Sequence, residues 1–555
     1  MSANSETLDV DVRPVRSQTT TRAVFAAAMG TVFEWYEFTL YGALTSVIAL
    51  NFFTNLNPTI AFVFALLTFA VGFIIRPLGA IIFGRVGDRV GRKKTFLITI
   101  ILMGASTVSV GLLPTYQAIG VWAPILLIVM RAIQGMAIGG EFGGAATYVA
   151  EHSSSKVRGL NTSWISATAV GGLLMSFGMV MLCRAWAGEA FNDWGWRIPF
   201  LFSGVLLAIS LIVRLKMEES PAFEKMKSEE RLSESPLREV FTNWKNIKIV
   251  LIAFFGVCGG MACCYYVAML YPAFFMTQVL KVDPQQATSM LTLAMLVASP
   301  LFLVSGWLSD KIGRKPVLLT GFILSALLIF PIFKGLAWYG NPDLVTAQEQ
   351  APIVLEVSEE QCSFMFNPTG TRRFTSLCDI ARQTLSAAGV TYETIPSQKN
   401  DGALIRVGSQ QISAPDFTNL LGDQVIAQTK QLETQIKKAM VDAGYPSKAD
   451  PNKFSHLHVF LLLFALICCG IITYAPVSVI LVEMFPARIR YTGMSFPYHL
   501  ASGWVGGLLP TIAFALSAQA GDIYYGLWYP VLWATLGIVI SLIFLKETRH
   551  VDILK

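Results

Sequence analysis

The sequence predicts an all-α polytopic membrane protein of twelve transmembrane helices in two six-helix halves, with a small extracytoplasmic α/β insert. Three observations predict it. Of 555 residues, 54% are apolar and 14% charged, and the mean hydropathy is +0.55, far from the average for soluble domains. The apolar residues are gathered in runs long enough to span a bilayer, about 20 residues each. A ten-residue pattern, G-x-x-x-D-[RK]-x-G-R-K, occurs at Gly84–Lys93 and again at Gly306–Lys315, each time as a basic loop between two apolar runs, so the chain carries an internal duplication.

In order, a polar tail (1–22) leads into a first half (23–215) with runs near 23–50, 58–83, 95–113, 121–150, 160–183 and 197–215. A central loop (216–247) follows, then runs near 248–278, 287–308 and 317–338, the segment 339–455, runs near 456–482, 492–518 and 524–545 within 456–546, and a tail (547–555). Lys and Arg crowd loops 84–94, 151–159, 216–247, 309–316 and 484–490, and are absent from 51–57 and 114–120. By the positive-inside rule, both termini and the basic loops are cytoplasmic. The tail carries no apolar signal-peptide core.

A second repeat dates the insertion. Glu151 and Arg158 follow the fourth run as Glu483 and Arg490 follow the tenth, with the same seven-residue separation. Asp88 and Asp310 are about 222 positions apart and Glu151 and Glu483 about 332, so roughly 110 residues entered the second half between these marks. They are the polar segment 339–455, on the side opposite the basic loops, with strand-like runs at 353–357 and 403–407 and helix-like runs at 379–388 and 417–443. Its two cysteines, Cys362 and Cys378, can close a disulfide in an oxidising compartment; two thiols alone do not require it. The other six lack metal-ligand spacing and read as packing residues. No metal, cofactor or nucleic-acid site is expected.

Charges inside apolar runs are costly and persist where they face a partner or a water-filled path. Glu34, Glu37, Arg76, Arg131 and Glu141 are such charges, all in the first half. Glu34 and Glu37, three apart, are expected on one helix face. The functional reading makes Glu34, Glu37, Glu141 and Arg131 the proton-coupling groups, because a carboxylate held away from water can change protonation near neutral pH. Arg76 and Arg131 would bind an anionic substrate group, with Trp35, Tyr36 and Gln134 as further contacts. Fixed ion pairs between these arginines and glutamates are the structural alternative. His499 reads as a hydrogen-bonded packing histidine, and Gly135, Gly139 and Gly143 as a close-packing stripe.

The stretch Gly30-Thr31-Val32-Phe33-Glu34-Trp35-Tyr36-Glu37-Phe38-Thr39-Leu40-Tyr41-Gly42, with Arg76-Pro77-Leu78-Gly79, Arg131–Gly135, Gly139–Ala145, Gly195–Phe200, Glu483–Pro486 and the duplicated loop, resembles the metabolite:proton symporter family of the major facilitator superfamily. That resemblance implies import of a small metabolite with protons, in a bacterial inner membrane and in monomeric form. It also implies a cytoplasmic gate built from Gly84, Asp88, Arg89, Gly91, Arg92, Asp310, Gly313, Arg314, Glu151, Arg158, Glu483 and Arg490. Glu37 stands where the family usually has Asp, and His499 where Asn is usual. An organic acid is the expected substrate; a zwitterion such as proline or betaine, and a transporter-like receptor with a ligand-binding external domain, are the alternatives. Enzymatic activity is not expected.

Overall fold

The computed structural model describes residues 17–54, 58–357, 362–363, 376–397, 403–414 and 422–553. Most of the expected tail, residues 1–16, lies outside the described residues, as do 417–421 at the start of one expected insert helix. Among the described residues, eleven helices are long and apolar enough to cross a membrane, from Leu67–Val90 to Tyr525–Phe544. The first helix, Ser17–Ala43, falls short in hydropathy because Glu34, Glu37 and its aromatic side chains dilute it, yet it packs along the full bundle. It begins inside the expected tail.

We number the spans Ser17–Ala43 (one), Leu67–Val90 (two), Arg92–Leu112 (three), Trp122–Glu151 (four), Arg158–Phe191 (five) and Arg197–Leu215 (six). The second half comprises Trp244–Met269 (seven), Pro284–Ile312 (eight), Arg314–Gly340 (nine), His456–Met484 (ten), Ala487–Ala520 (eleven) and Tyr525–Phe544 (twelve). In the first half, span one packs on five, two on four and three on six; in the second, seven, nine, ten and twelve pack together. The halves meet where span eleven crosses two and four, and where span five crosses eight. Large apolar side chains such as Leu112, Met181, Leu327 and Leu532 stay exposed on the outer surface, as a hydrocarbon solvent requires.

The glycine stripe of span four makes these contacts possible. A Cβ on Gly135 would meet the backbone of Gly72, and one on Gly139 would lie 2.8 Å from the Ala80 nitrogen, both in span two. Gly143 instead faces Ser495 of span eleven, so the third member of the stripe serves the contact between halves.

The insert is a small α/β unit. Strands β1 (Ile353–Val357), β2 (Tyr392–Pro396), β3 (Ala403–Val407) and β4 (Gln410–Ala414) form one sheet in the order β2-β1-β3-β4. The β1–β2 pair is parallel, joined through the helix Leu377–Ala388, and the others are antiparallel. Ile353, Leu355 and Val357 alternate into its core with Ile405 and Val407. Cys362 and Cys378 are joined by a disulfide. The unit docks on the second half: the Tyr392 nitrogen donates to Gly521 (2.7 Å), its hydroxyl to the Ala518 carbonyl, and the Ala449 nitrogen to Lys281 (3.1 Å).

Replacing Gly139 by valine is expected to lower stability by about 1–3 kcal/mol, the usual cost of overpacking, seen as an earlier thermal midpoint by circular dichroism in detergent. Gly178→Ala, where an added Cβ meets nothing within 4 Å, is expected to leave that midpoint unchanged.

Candidate functional site: a charged gate and a central cavity

The duplicated loop solves one problem twice: a sharp turn followed at once by a helix whose first N–H groups need acceptors. Gly91 and Gly313 sit at φ of 121° and 111°, which L side chains rarely adopt. Immediately after each, the nitrogens of the next two residues are received by a carboxylate from beyond the end of its own half. Glu219 accepts from Arg92 (2.9 Å) and Lys93 (3.2 Å), and Glu547 from Arg314 (2.9 Å) and Lys315 (3.1 Å). These glutamates were not among the sequence candidates; the signal is an acid just past spans six and twelve, in Lys216-Met217-Glu218-Glu219 and Lys546-Glu547.

The aspartates of the motif cross to the other half. Asp88 accepts from the nitrogens of Tyr491 (3.1 Å) and Thr492 (2.9 Å) near the start of span eleven. Asp310 accepts from Gly159 (2.9 Å) and Leu160 (2.8 Å) at the start of span five. A helix N-terminus is a favourable place for a carboxylate. Gly84 gives clearance to Thr492 beside the first of these caps.

The second repeat then pairs by exchange. Arg158 bonds Glu483 and Arg490 bonds Glu151, each at 2.7 Å and each across the halves. Arg314 bridges Asp310 (2.5 Å) and Glu483 (3.3 Å), and Arg92 lies 3.5 Å from Asp88 and 3.8 Å from Glu151. All eight of these charged side chains are buried. The C-terminal tail adds to the network: Thr548 donates to Glu483 (2.7 Å) and the Ile553 carbonyl accepts from Arg490 (2.8 Å). Arg89, by contrast, is exposed and lies in no described ion pair; it points away from the interface that Asp88 faces. His152, just past span four, bonds the Tyr148 carbonyl (2.8 Å), and burial holds its pKa below the ordinary histidine range.

Between the halves lies a narrow cavity of about 30 Å³. From the first half it is lined by Glu34, Trp35, Phe38, Arg76 and Phe142, and from the second by Tyr265, Tyr266, Tyr474, Tyr498, His499 and Ser502, among others. Arg76 lies over the rings of Phe38 (4.5 Å) and Phe73 (4.4 Å), and its Nε has no hydrogen-bond partner. Neither Glu34 nor Arg76 takes part in an ion pair among the described residues.

The remaining candidates sit elsewhere. Glu37 does not share the cavity with Glu34: it turns toward span three and accepts from the Thr107 hydroxyl at 3.0 Å. Glu141 pairs with Arg214 of span six, which also donates to the Phe96 carbonyl (3.1 Å). Arg131 lies behind the cavity wall, 4.4 Å over the Tyr41 ring, and donates to Gln134 (2.6 Å); Gln134 donates in turn to Thr107 (2.8 Å). Tyr36 donates to the Pro199 carbonyl (2.7 Å) inside the first half and does not line the cavity. His499 is not hydrogen-bonded: both ring nitrogens are buried without a partner.

Removing one member of a buried cross-half pair leaves the other charge unpaired, a cost of about 3–5 kcal/mol. Arg490→Ala is therefore expected to open the basic-loop side, read as faster thiol labelling of a cysteine placed at Ser166 in a background without the six free cysteines. The double variant Glu151→Gln/Arg490→Gln is expected to label more slowly than Arg490→Ala, because no lone charge remains.

The sequence profile of the Major Facilitator Superfamily matches residues 27–335, and that of "Sugar (and other) transporter" matches 442–555. The proline/betaine transporter of Escherichia coli K12 is 36% identical over 326 residues, 56% of this chain and 64% of that protein. The chain thus spans just under two thirds of the length of the proline/betaine transporters it matches. The shikimate transporter of the same organism is 37% identical over 57% of this chain and 72% of its own length. Among solved structures, the proton:xylose symporter XylE bound to 6-bromo-6-deoxy-D-glucose superposes with a TM-score of 0.62 at 16% identity, covering 97% of this chain and 98% of that one, which speaks to the fold. These relatives are transporters, not enzymes. With more than half of its length matched by the superfamily profile, this multi-pass membrane protein belongs to the major facilitator superfamily.

Proposed function

We propose that the chain is a proton-coupled secondary transporter that imports a small organic acid by alternating access. The observation that supports this most is the pair Glu34 and Arg76. They are two opposite charges lining one cavity between the halves, and neither takes part in an ion pair among the described residues. A guanidinium without a carboxylate partner suits an anionic substrate group. A lone carboxylate beside it suits a group that takes up and releases a proton as the cavity changes sides. Glu141 and Glu37 are then supporting residues, because each already has a fixed partner, and Arg131 holds the wall through Gln134.

In this reading the basic loops and both termini face the cytoplasm and the insert lies outside, which the Cys362–Cys378 disulfide supports, since such bonds persist in oxidising compartments. The gate contacts would hold the cytoplasmic side shut while the cavity faces outward. A bacterial inner membrane and a monomeric working unit complete the proposal. A second reading, a zwitterion carrier, draws on Glu34 and the cavity's tyrosines, which suit a quaternary ammonium as Arg76 suits its carboxylate.

The test is uptake of labelled carboxylates and betaine into right-side-out vesicles, with and without an inside-alkaline pH gradient. Accumulation of a carboxylate that a protonophore abolishes is the expected result. Glu34→Gln is expected to abolish gradient-driven accumulation while retaining counterflow exchange, and Arg76→Gln to raise KM by about tenfold or more, the loss of one charge-assisted hydrogen bond. Uptake indifferent to the gradient, or Glu34→Gln accumulating normally, would sink the coupling.

A further inference from the structure

The second half's contribution to the cavity is neutral, and one piece of it stands out physically. His499 and Ser502 are three residues apart on span eleven, on one helix face, where the helix passes into the π-helical turn Ala501–Gly506. Such turns are frequent at functional sites. Both side chains are buried, at 1% and 3% exposure, and both line the cavity. The two ring nitrogens of His499 and the Ser502 hydroxyl lack any hydrogen-bond partner. The walls beside the imidazole are apolar or ring edges, Phe142 at 6.3 Å and Tyr498 at 5.0 Å, and satisfy nothing. Buried polar atoms are almost always paired, so three orphans on one face of a cavity call for an occupant.

We propose that His499 and Ser502 are the specificity-determining contacts of the second half, and that they select a hydroxylated carboxylic acid: the carboxylate goes to Arg76, and a hydroxyl to the His499–Ser502 face. The inference rests on the organic-acid reading of the same site and narrows it. A neutral imidazole offers one donor and one acceptor, and a serine hydroxyl offers both, so together they match a hydroxyl group, which also gives and takes. A second carboxylate would find no further fixed cation, because Arg76 is the one arginine or lysine that lines the cavity among the described residues. A quaternary ammonium would use Glu34 and the rings and leave all three polar atoms unpaired. The contact also joins the halves through the substrate, since Arg76 belongs to the first and His499 to the second.

The test separates this inference from transport. Binding to purified full-length protein is read by quenching of tryptophan fluorescence, Trp35 lining the cavity, with two matched pairs: shikimate against cyclohex-1-ene-1-carboxylate, and lactate against propionate, with betaine alongside. The hydroxylated member of at least one pair is expected to bind about tenfold or more tightly than its partner, as for a site built to hydrogen-bond a substrate hydroxyl. His499→Ala is expected to remove that preference while leaving the hydroxyl-free acid unchanged; His499→Asn, which keeps a donor and an acceptor, is expected to restore part of it, and Ser502→Ala to reduce it several-fold. Equal affinity within both pairs, equal weakening of both members by His499→Ala, or binding of betaine alone would overturn the proposal. Selective binding without gradient-driven uptake would leave it standing and count against the transport reading instead.

Discussion

Burial of charge at the contact between the halves is the constraint from which the rest of the architecture follows. A buried arginine or carboxylate is tolerable only when paired and hydrogen-bonded; Arg92 and Arg314 pair within their own halves, whereas Arg158 and Arg490 find their carboxylates across the interface. Arg158 needs Glu483, Arg490 needs Glu151, and the two aspartates need helix ends across the interface. Separation of the halves at this end would expose or orphan several charges together.

The cavity reverses that logic. There Glu34 and Arg76 take part in no ion pair among the described residues, and the ring of His499 and the hydroxyl of Ser502 lack hydrogen-bond partners. The protein has the means to satisfy such groups, as the Glu141–Arg214 pair and the hydrogen bond from Thr107 to Glu37 show within the same half. Satisfied groups stiffen the first half around the cavity; unsatisfied ones define what can occupy it.

Much of this was legible in the sequence, and the exceptions have physical causes. The duplicated motif and the Glu–Arg repeat located the charged contacts between the halves, because one helix-end geometry recurs with the same residue types. The offset between the two repeats located the insert. Inside span one the spacing of Glu34 and Glu37 misled: residues three apart are separated by about 60° around a helix, enough at a crowded wall to send one into the cavity and the other toward span three. Arg214 was overlooked because a basic residue at a span's end reads as a topology signal, although its side chain reaches back to Glu141. Strands β2 and β4 went unread since Glu393, Thr394, Gln410 and Gln411 break the apolar alternation that marked β1 and β3.

The insert is not a bystander to the bundle's mechanics. Its helix Leu377–Ala388 ends at Gly389, which sits against the carbonyls of Gln278 and Val279 beyond span seven, while Tyr392 bonds Gly521 and Ala518 at the end of span eleven. Span seven contains the π-helical turn Ile252–Cys258 and span eleven Ala501–Gly506, with a third, Phe275–Val279, just beyond span seven, and such turns are weak points at which a helix can bend. A folded unit that holds the far ends of both helices removes their freedom to bend independently. His499 and Ser502 sit on one of the helices so held, across the cavity from Glu34 and Arg76.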